Sequence, residues 1–233
     1  MEESKPDNNV KVKKGGSKER KGNFARKTTE TDIKLSLNID GKGAYKIDSG
    51  VPFFNHMLEQ FSKHSGFDIH LNAKGDIGVD LHHLIEDTGI VIGSALMKLS
   101  GDKKGIKRFG FASVPMDEAL VQSSVDFCGR SFFVYKFIDE DMSQSEKRSS
   151  PPLFSISKQE SREILVDKFF YVYSNIFFEA LCKNALINLH INIQYGSNAH
   201  HMVEAIFKST GRALSDALKI AGNCGIPSTK GSI

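Results

Sequence analysis

No stretch of this 233-residue chain stays apolar for the roughly 18 residues that a bilayer crossing needs, and its lysine-rich start lacks the hydrophobic core of a secretory signal. A membrane partner is therefore not expected, and the cytoplasm or an organelle matrix is the expected compartment. Cysteine is scarce. Cys128, Cys182 and Cys224 are far apart, odd in number and without a C-x-x-C pair, so they read as reduced packing residues rather than a disulfide framework. The body of the chain also lacks net charge. Residues 1–24 hold seven bases (Lys5, Lys11, Lys13, Lys14, Lys18, Arg20, Lys21) against four acids (Glu2, Glu3, Asp7, Glu19), and 7 − 4 equals the formal +3 of the whole. A short Lys/Gly/Ser/Asn segment without apolar periodicity reads as a solvated, disordered basic tail. With no basic stripe beyond it, nucleic acid is not an expected partner.

What is present is the composition of a globular protein, 39% hydrophobic and 25% charged. Ile33 to Ile39 alternates apolar and polar residues and meets Asp40-Gly41-Lys42-Gly43, the pattern of a strand entering a hairpin turn, with a second strand through Tyr45 and Ile47. Phe54, Met57, Leu58 and Phe61 recur at helical spacing behind Pro52. Phe67 to Leu71 alternates again, and Asp80 to Asp87 leads into an apolar stretch from Ile90 to Leu99 that predicts a second helix, ended by Ser100-Gly101-Asp102. The same order then returns: strands near 121–127 and 132–137, a helix from about Lys168 to Lys183, alternation from Ile187 to Ile193, and a last helix from His200 to Leu218. The pattern predicts an α+β fold built of two similar halves, about 25–115 and 116–225, each a sheet with helices on one face. Residues 139–163, rich in Ser, Pro, Lys and Glu, read as a loop insertion between elements of the second half.

Each half carries His-His-x-x-Glu at the start of its last helix, as His82-His83-x-x-Glu86 and His200-His201-x-x-Glu204. Residues three and four apart are neighbours on a helix, so one imidazole and one carboxylate can share a divalent ion. Adjacent histidines point in different directions and suit two different ions. Mixed nitrogen and oxygen ligation fits manganese, iron or zinc. A single histidine is more often a packing or surface residue, but a string duplicated at matching places points to metal. His56, 26 residues before His82, is a further candidate ligand, whereas the position 24 residues before His200 is Ile176.

Pro227-Ser228-Thr229-Lys230-Gly231 offers hydroxyls, amides and an ammonium within one turn, which suits a phosphate. Arg108 and Arg130 each sit beside glycines that let a ligand approach closely. Together with metal sites, these residues point to a small anionic substrate rather than a polymer.

From about Arg26 to Ile233 the chain resembles the imidazoleglycerol-phosphate dehydratase family. The matching strings are Arg26-Lys27-Thr28-Thr29-Glu30-Thr31, Asp40-Gly41, His56-Met57-Leu58, Gly75-Asp76, His82-His83 with Glu86-Asp87, Pro115-Met116-Asp117-Glu118, Gly129-Arg130, Asn198-x-His200-His201 with Glu204 and Phe207-Lys208, and the Pro-Ser-Thr-Lys-Gly ending. The resemblance implies a ribosomal protein S5 domain 2-like fold over 25–233 and a hydro-lyase of histidine biosynthesis. That enzyme takes D-erythro-imidazole-glycerol phosphate, a small phosphorylated imidazole, to imidazole acetol phosphate. It implies two Mn2+ (manganese) per subunit, in sites shared between subunits of a homo-oligomer of 24 chains. One ion would take His56, His83, Glu86 and His201, and the other His82, His200 and Glu204. The phosphate would lie against Arg108, Arg130, Ser228 and Lys230, the last two in a C-terminal segment at 226–233. Glu30 would reach the substrate of a neighbouring subunit, and Glu30, Glu86 and Glu204 are the acid/base candidates.

The chain also departs from the family. The family has aspartate at the positions of Asn55 and Leu81, threonine at Leu84, a Glu-His pair at Asn175-Ile176 and serine at Cys128. Four of these five departures flank metal ligands. They imply an alternative, a weakly active or inactive relative that keeps the assembly and one metal site.

Overall fold

A computed structural model of the chain describes residues 19–138, 165–222, 225, 227 and 228. The tail before residue 19, the 139–163 insertion, Cys224 and Lys230 lie outside the described residues.

The first half runs β1 (Lys21–Lys27), β2 (Thr31–Asn38), β3 (Tyr45–Asp48), α1 (Pro52–Ser65), β4 (Asp68–Gly75) and α2 (His82–Leu99). The second runs β5 (Phe109–Met116), β6 (Ala119–Asp126), β7 (Phe132–Phe137), α3 (Ser174–Ala185), β8 (Asn188–Tyr195) and α4 (Ala199–Leu218). Their sheets have the same order, β1-β2-β4-β3 and β5-β6-β8-β7. In each, the first three strands in that order are antiparallel and the fourth joins in parallel. The parallel pair is a β-α-β crossover, which needs a helix between its strands: α1 in one half and α3 in the other.

Helices cover one face of each sheet, and the two helix layers face each other, α1 against α4 and α2 against α3. Inward positions of the strands alternate, as with Ile33, Leu35 and Leu37 on β2 and Leu189, Ile191 and Ile193 on β8. Between the helix layers lie Phe54, Phe177, Phe178 and Phe207, all fully buried; Phe177 and Phe207 stack at 5.4 Å. Each such ring contributes about 1.5–3 kcal/mol by leaving water.

Three sequence expectations are corrected. Asp40–Gly43 is not a hairpin, because β3 pairs with β4 and never with β2. The Asp68 carboxylate accepts the amides of Lys42 (2.8 Å) and Ala44 (2.9 Å) and steers the chain past the end of β4. The boundary of the halves lies before β5, not at 115. β5 has no strand-like signature in the sequence because its apolar pattern is inverted: Phe109 and Phe111 are exposed while Gly110 and Ala112 face inward. A methyl group on Gly110 would sit 1.9 Å from the Ala213 carbonyl oxygen, so α4 admits only small residues there. Residues 21–24 belong to β1 rather than to a tail; this edge strand alternates only between exposed and half-buried positions, so its sequence shows no apolar face.

Candidate active site

Both His-His-x-x-Glu strings lie at the first turns of α2 and α4, where free backbone amides need partners. Asn198 caps α4, its side-chain oxygen accepting from the amides of His200 (2.9 Å) and His201 (3.3 Å), which fixes where the pair points. α2 has no side-chain cap of that kind, Leu81 being its N-cap residue; Asp80, just before it, accepts from the amides of Leu81 and His82 and also receives the Tyr173 hydroxyl (2.7 Å). Burial, with Asp80 adjacent, pushes that phenol up to about 12.

Within each string the two rings diverge, at 75° for His82 and His83 and 83° for His200 and His201. The first ring of each pair turns to the glutamate four residues on: His82 Nε2 is 3.8 Å from Glu86 Oε2, and His200 Nε2 is 3.3 Å from Glu204 Oε2. The second ring is anchored through Nδ1 by a distant carboxylate. His83 Nδ1 lies 3.2 Å from Asp76 and 3.6 Å from Glu30, and His201 Nδ1 lies 2.7 Å from Glu118. An imidazole held through Nδ1 presents Nε2 outward in one tautomer, the usual arrangement behind a metal-binding histidine. The Asp76 hydrogen bond, with Glu30 adding to it, raises the His83 pKa, and Glu118 does the same for His201. Glu118 itself drops to about 2, held by the His201 ring and by the amides of Asn198 and Ser197. Asp76 and Glu118 are site residues that the motif spacing did not single out. The visible signal was only that each belonged to a family-like string.

α1 delivers His56 to the α4 cluster. His56 Nε2 is 3.8 Å from Glu204 Oε2, and its ring centre is 6.0 Å from that of His200. Among the described residues, His56, His200 and Glu204 are the group whose three donor atoms lie within 4.8 Å of one another. A first-row ion with bonds of about 2.0–2.2 Å would hold such atoms slightly closer together, so a small inward movement of these side chains would complete the group. Lys208 occupies the other oxygen, Oε1, at 2.6 Å, leaving Oε2 to point at the histidines. Burial alone would raise the Glu204 carboxyl, but Lys208, His56 and His200 outweigh it and hold the group ionised. The donor set therefore fits a divalent cation. This grouping differs from the implied one: within a single chain His56 joins His200 and Glu204, not His83, Glu86 and His201.

The anion-binding candidates stand elsewhere. Arg108, at φ 74°, puts Nε 2.6 Å and Nη2 3.1 Å from Asp126 and donates through Nη1 to the Pro227 carbonyl oxygen at 2.7 Å. It thus holds the segment carrying Ser228, while Arg130 is exposed beside Gly129. The Arg108 amide donates to the carbonyl of Ala217, 217 − 204 = 13 residues beyond Glu204 along α4. At about 1.5 Å per residue the backbones of Glu204 and Ala217 are roughly 20 Å apart along the helix axis. No helix of the described residues is long and apolar enough to cross a membrane.

A family model described as imidazoleglycerol-phosphate dehydratase matches residues 49–214. The imidazoleglycerol-phosphate dehydratase of Pelotomaculum thermopropionicum is 44% identical over 215 residues, covering 92% of this chain and 99% of its own length. That of Thermodesulfovibrio yellowstonii is 46% identical over 220 residues, covering 92% and 100%. The crystal structure of the Staphylococcus aureus enzyme of that name is 34% identical, with a TM-score of 0.61 over 85% of this chain and 99% of that one. The Pyrococcus furiosus structure, in complex with (S)-C348, is 31% identical, with a TM-score of 0.64 over 90% and 99%. With matched motifs, a duplicated fold and full-length relatives in agreement, this chain belongs to the imidazoleglycerol-phosphate dehydratase family.

Proposed function

We propose that the chain is a hydro-lyase converting imidazoleglycerol phosphate to imidazole acetol phosphate, with a divalent cation, manganese by resemblance, at His56, His200 and Glu204. The observation that carries this reading is the convergence of two imidazoles and one ionised carboxylate from two helices in a member of this family.

In the reaction the C–O bond next to the imidazole breaks and the hydroxyl leaves as water. The next carbon loses its proton, and the resulting enol becomes the ketone. No carbonyl acidifies that C–H bond, so the ring must take up the charge. A bound cation would supply Lewis acidity that stabilises negative charge on the ring. The protein's part is to place a base and to orient the imidazole. Glu204 is buried and tied to Lys208, which suits a ligand rather than a proton carrier. Glu30 and Glu86 are about half-exposed, and Glu30 stands 3.6 Å from His83, so these two are the carboxylates free to move the proton.

The backbones that carry Glu204 and Arg108 in one chain stand roughly 20 Å apart along α4, which sets the histidine cluster and Arg108 towards opposite ends of that helix. We therefore read the complete site as shared, with Arg130, Ser228 and Lys230 of one copy holding the phosphate while the histidine cluster of another holds the ring. This separation supports a homo-oligomer, for which the resemblance implies 24 chains. The alternative, a weakened relative retaining one metal site, is favoured by Ile176.

The test is turnover of imidazoleglycerol phosphate by the Mn2+-loaded protein. His200→Ala and Glu204→Gln should lower kcat by about 100-fold or more with the fold retained. A folded, metal-loaded protein without turnover would leave the weakened relative standing.

A further inference from the structure

The β1–β2 connection carries Glu30, and its own backbone does little to fix it. Lys27 pairs with Asp32, and the Thr28 amide donates to the Thr31 carbonyl at 2.9 Å, so Thr29 and Glu30 form the loop of a tight hairpin. Such loops favour residues at positive φ, whose twist matches that of the strands. Neither Thr29 nor Glu30 takes positive φ. Side chains supply the support instead. Thr28 Oγ accepts the amides of Glu30 (3.1 Å) and Thr31 (2.9 Å). Buried Thr31 donates through Oγ to Asp87 Oδ2 at 2.5 Å, and Arg26 Nε donates to Asp87 Oδ1 at 2.7 Å. A carboxylate paired with a guanidinium only accepts, so the Thr31 proton is committed to Asp87. The 3.1 Å contact between the two hydroxyls must then run from Thr28 to Thr31. One directed chain leads from the loop amides to a buried carboxylate on α2.

The fold does not require this chain. In the second half the β5–β6 loop, Asp117-Glu118, takes the same place, with Met116 paired to Ala119, and 118 − 30 = 88. The last helices are offset by 204 − 86 = 118. The counterparts of Arg26, Thr28, Thr31 and Asp87 are therefore Val114, Met116, Ala119 and Ala205, all apolar. Hairpin and helix meet there with Ala119 and Ala205 buried and no polar group between them. Burying Asp87 carries a desolvation cost that packing alone does not call for. The two loops differ in what their glutamates do: Glu118 is committed to His201 at 2.7 Å, whereas Glu30 is 51% exposed, with His83 at 3.6 Å.

We propose that Asp87, acting through Thr31 and Thr28, is a positioning residue that fixes the β1–β2 loop so that the Glu30 carboxylate is held where it moves the substrate proton. This rests on the reading of Glu30 as a proton carrier and deepens it.

The experiment is a double-mutant cycle between Thr31 and Glu30, read by turnover of imidazoleglycerol phosphate with the full-length, Mn2+-loaded protein. Thr31→Val keeps the shape and removes the hydroxyl; it should lower kcat by about 10-fold or more while KM changes by less than about two-fold, and Thr31→Ser should restore the parent rate. In the Glu30→Gln background, Thr31→Val should cost no more than about two-fold further. Joint replacement of Arg26→Val, Thr28→Met, Thr31→Ala and Asp87→Ala copies the apolar junction of the second half; it should fold, keep the parent's oligomer size and show the same loss of kcat. Independently of turnover, hydrogen exchange of the Glu30 and Thr31 amides should speed up by about 10-fold or more in Thr31→Val. Equal losses from Thr31→Val in both backgrounds, unchanged exchange, or full kcat in the joint variant would overturn the positioning role while sparing Glu30 as proton carrier. Full kcat in Glu30→Gln, or a parent chain without turnover, would overturn both.

Discussion

Individual residues fall into two kinds. Those whose partner lies within one helical turn are visible in the string itself: His200 with Glu204, Glu204 with Lys208, His82 with Glu86. Those whose partner lies far along the chain are not, and Glu118, 83 residues before the His201 that it anchors, has no local signature. Asp68 is of the second kind. It accepts hydrogen bonds from Lys42 and Ala44 across more than twenty residues. Burial would raise its pKa, but these amides and Asn38 outweigh burial and lower it below 3.8. A carboxyl depressed in the folded state contributes stability that is present above its unfolded pKa and is lost as pH falls through its folded one. Asp40, against Arg20, shifts in the same direction. Thermal melts should therefore show the melting temperature falling as pH drops below about 4. Asp68→Asn should melt lower at pH 7 and lose less on acidification. An unchanged acid limb in that variant would remove Asp68 from the account.

At the level of elements, β2 and β8 were legible because one face of each is buried against its helix layer, and α1 and α2 because each keeps an exposed strip beside the faces covered by its sheet and by the opposing helix. β1 and β5 were not, since an edge strand and a strand under a close-packed helix have no ordinary alternation. The third helical region reads as one helix from about Lys168 but contains a wide turn, Phe169–Tyr173, with i→i+5 bonding, before α3. Two glycine positions test how the elements meet. Gly93 on α2 faces α3, and a methyl there would sit 2.4 Å from the Leu181 carbonyl oxygen. Alanine is normally better than glycine inside a helix by about 1 kcal/mol. Here overpacking should reverse the sign, and Gly93→Ala should lose about 1–3 kcal/mol in chemical denaturation. Leu186 occupies the left-handed position that Gly66 fills in the other half, so Leu186→Gly should gain up to about 1 kcal/mol in the same assay. The reverse pair of signs would mean that these contacts do not hold in solution.

For the whole molecule, the histidine cluster and Arg108 of one chain lie towards opposite ends of α4. Two single variants, each defective at one end, should then complement. Arg130→Ala and His200→Ala homo-oligomers should both be weakly active. After dissociation and reassembly together, a fraction of sites would carry neither lesion and turnover should return. Mixtures no more active than their components would argue for a site contained within each chain. What the sequence by itself determined was the duplication, the paired His-His-x-x-Glu strings at two helix starts and the isoleucine at position 176, because these depend on spacing within one or two helical turns and on counting between repeats. Only the tertiary structure decided that His56 belongs with His200 and Glu204, that Asp76 and Glu118 hold the outward histidines, and that Arg108 stands far from them. Which helix lies beside which is set by how the two helix layers bury each other's apolar faces, and no local pattern in the chain encodes that choice.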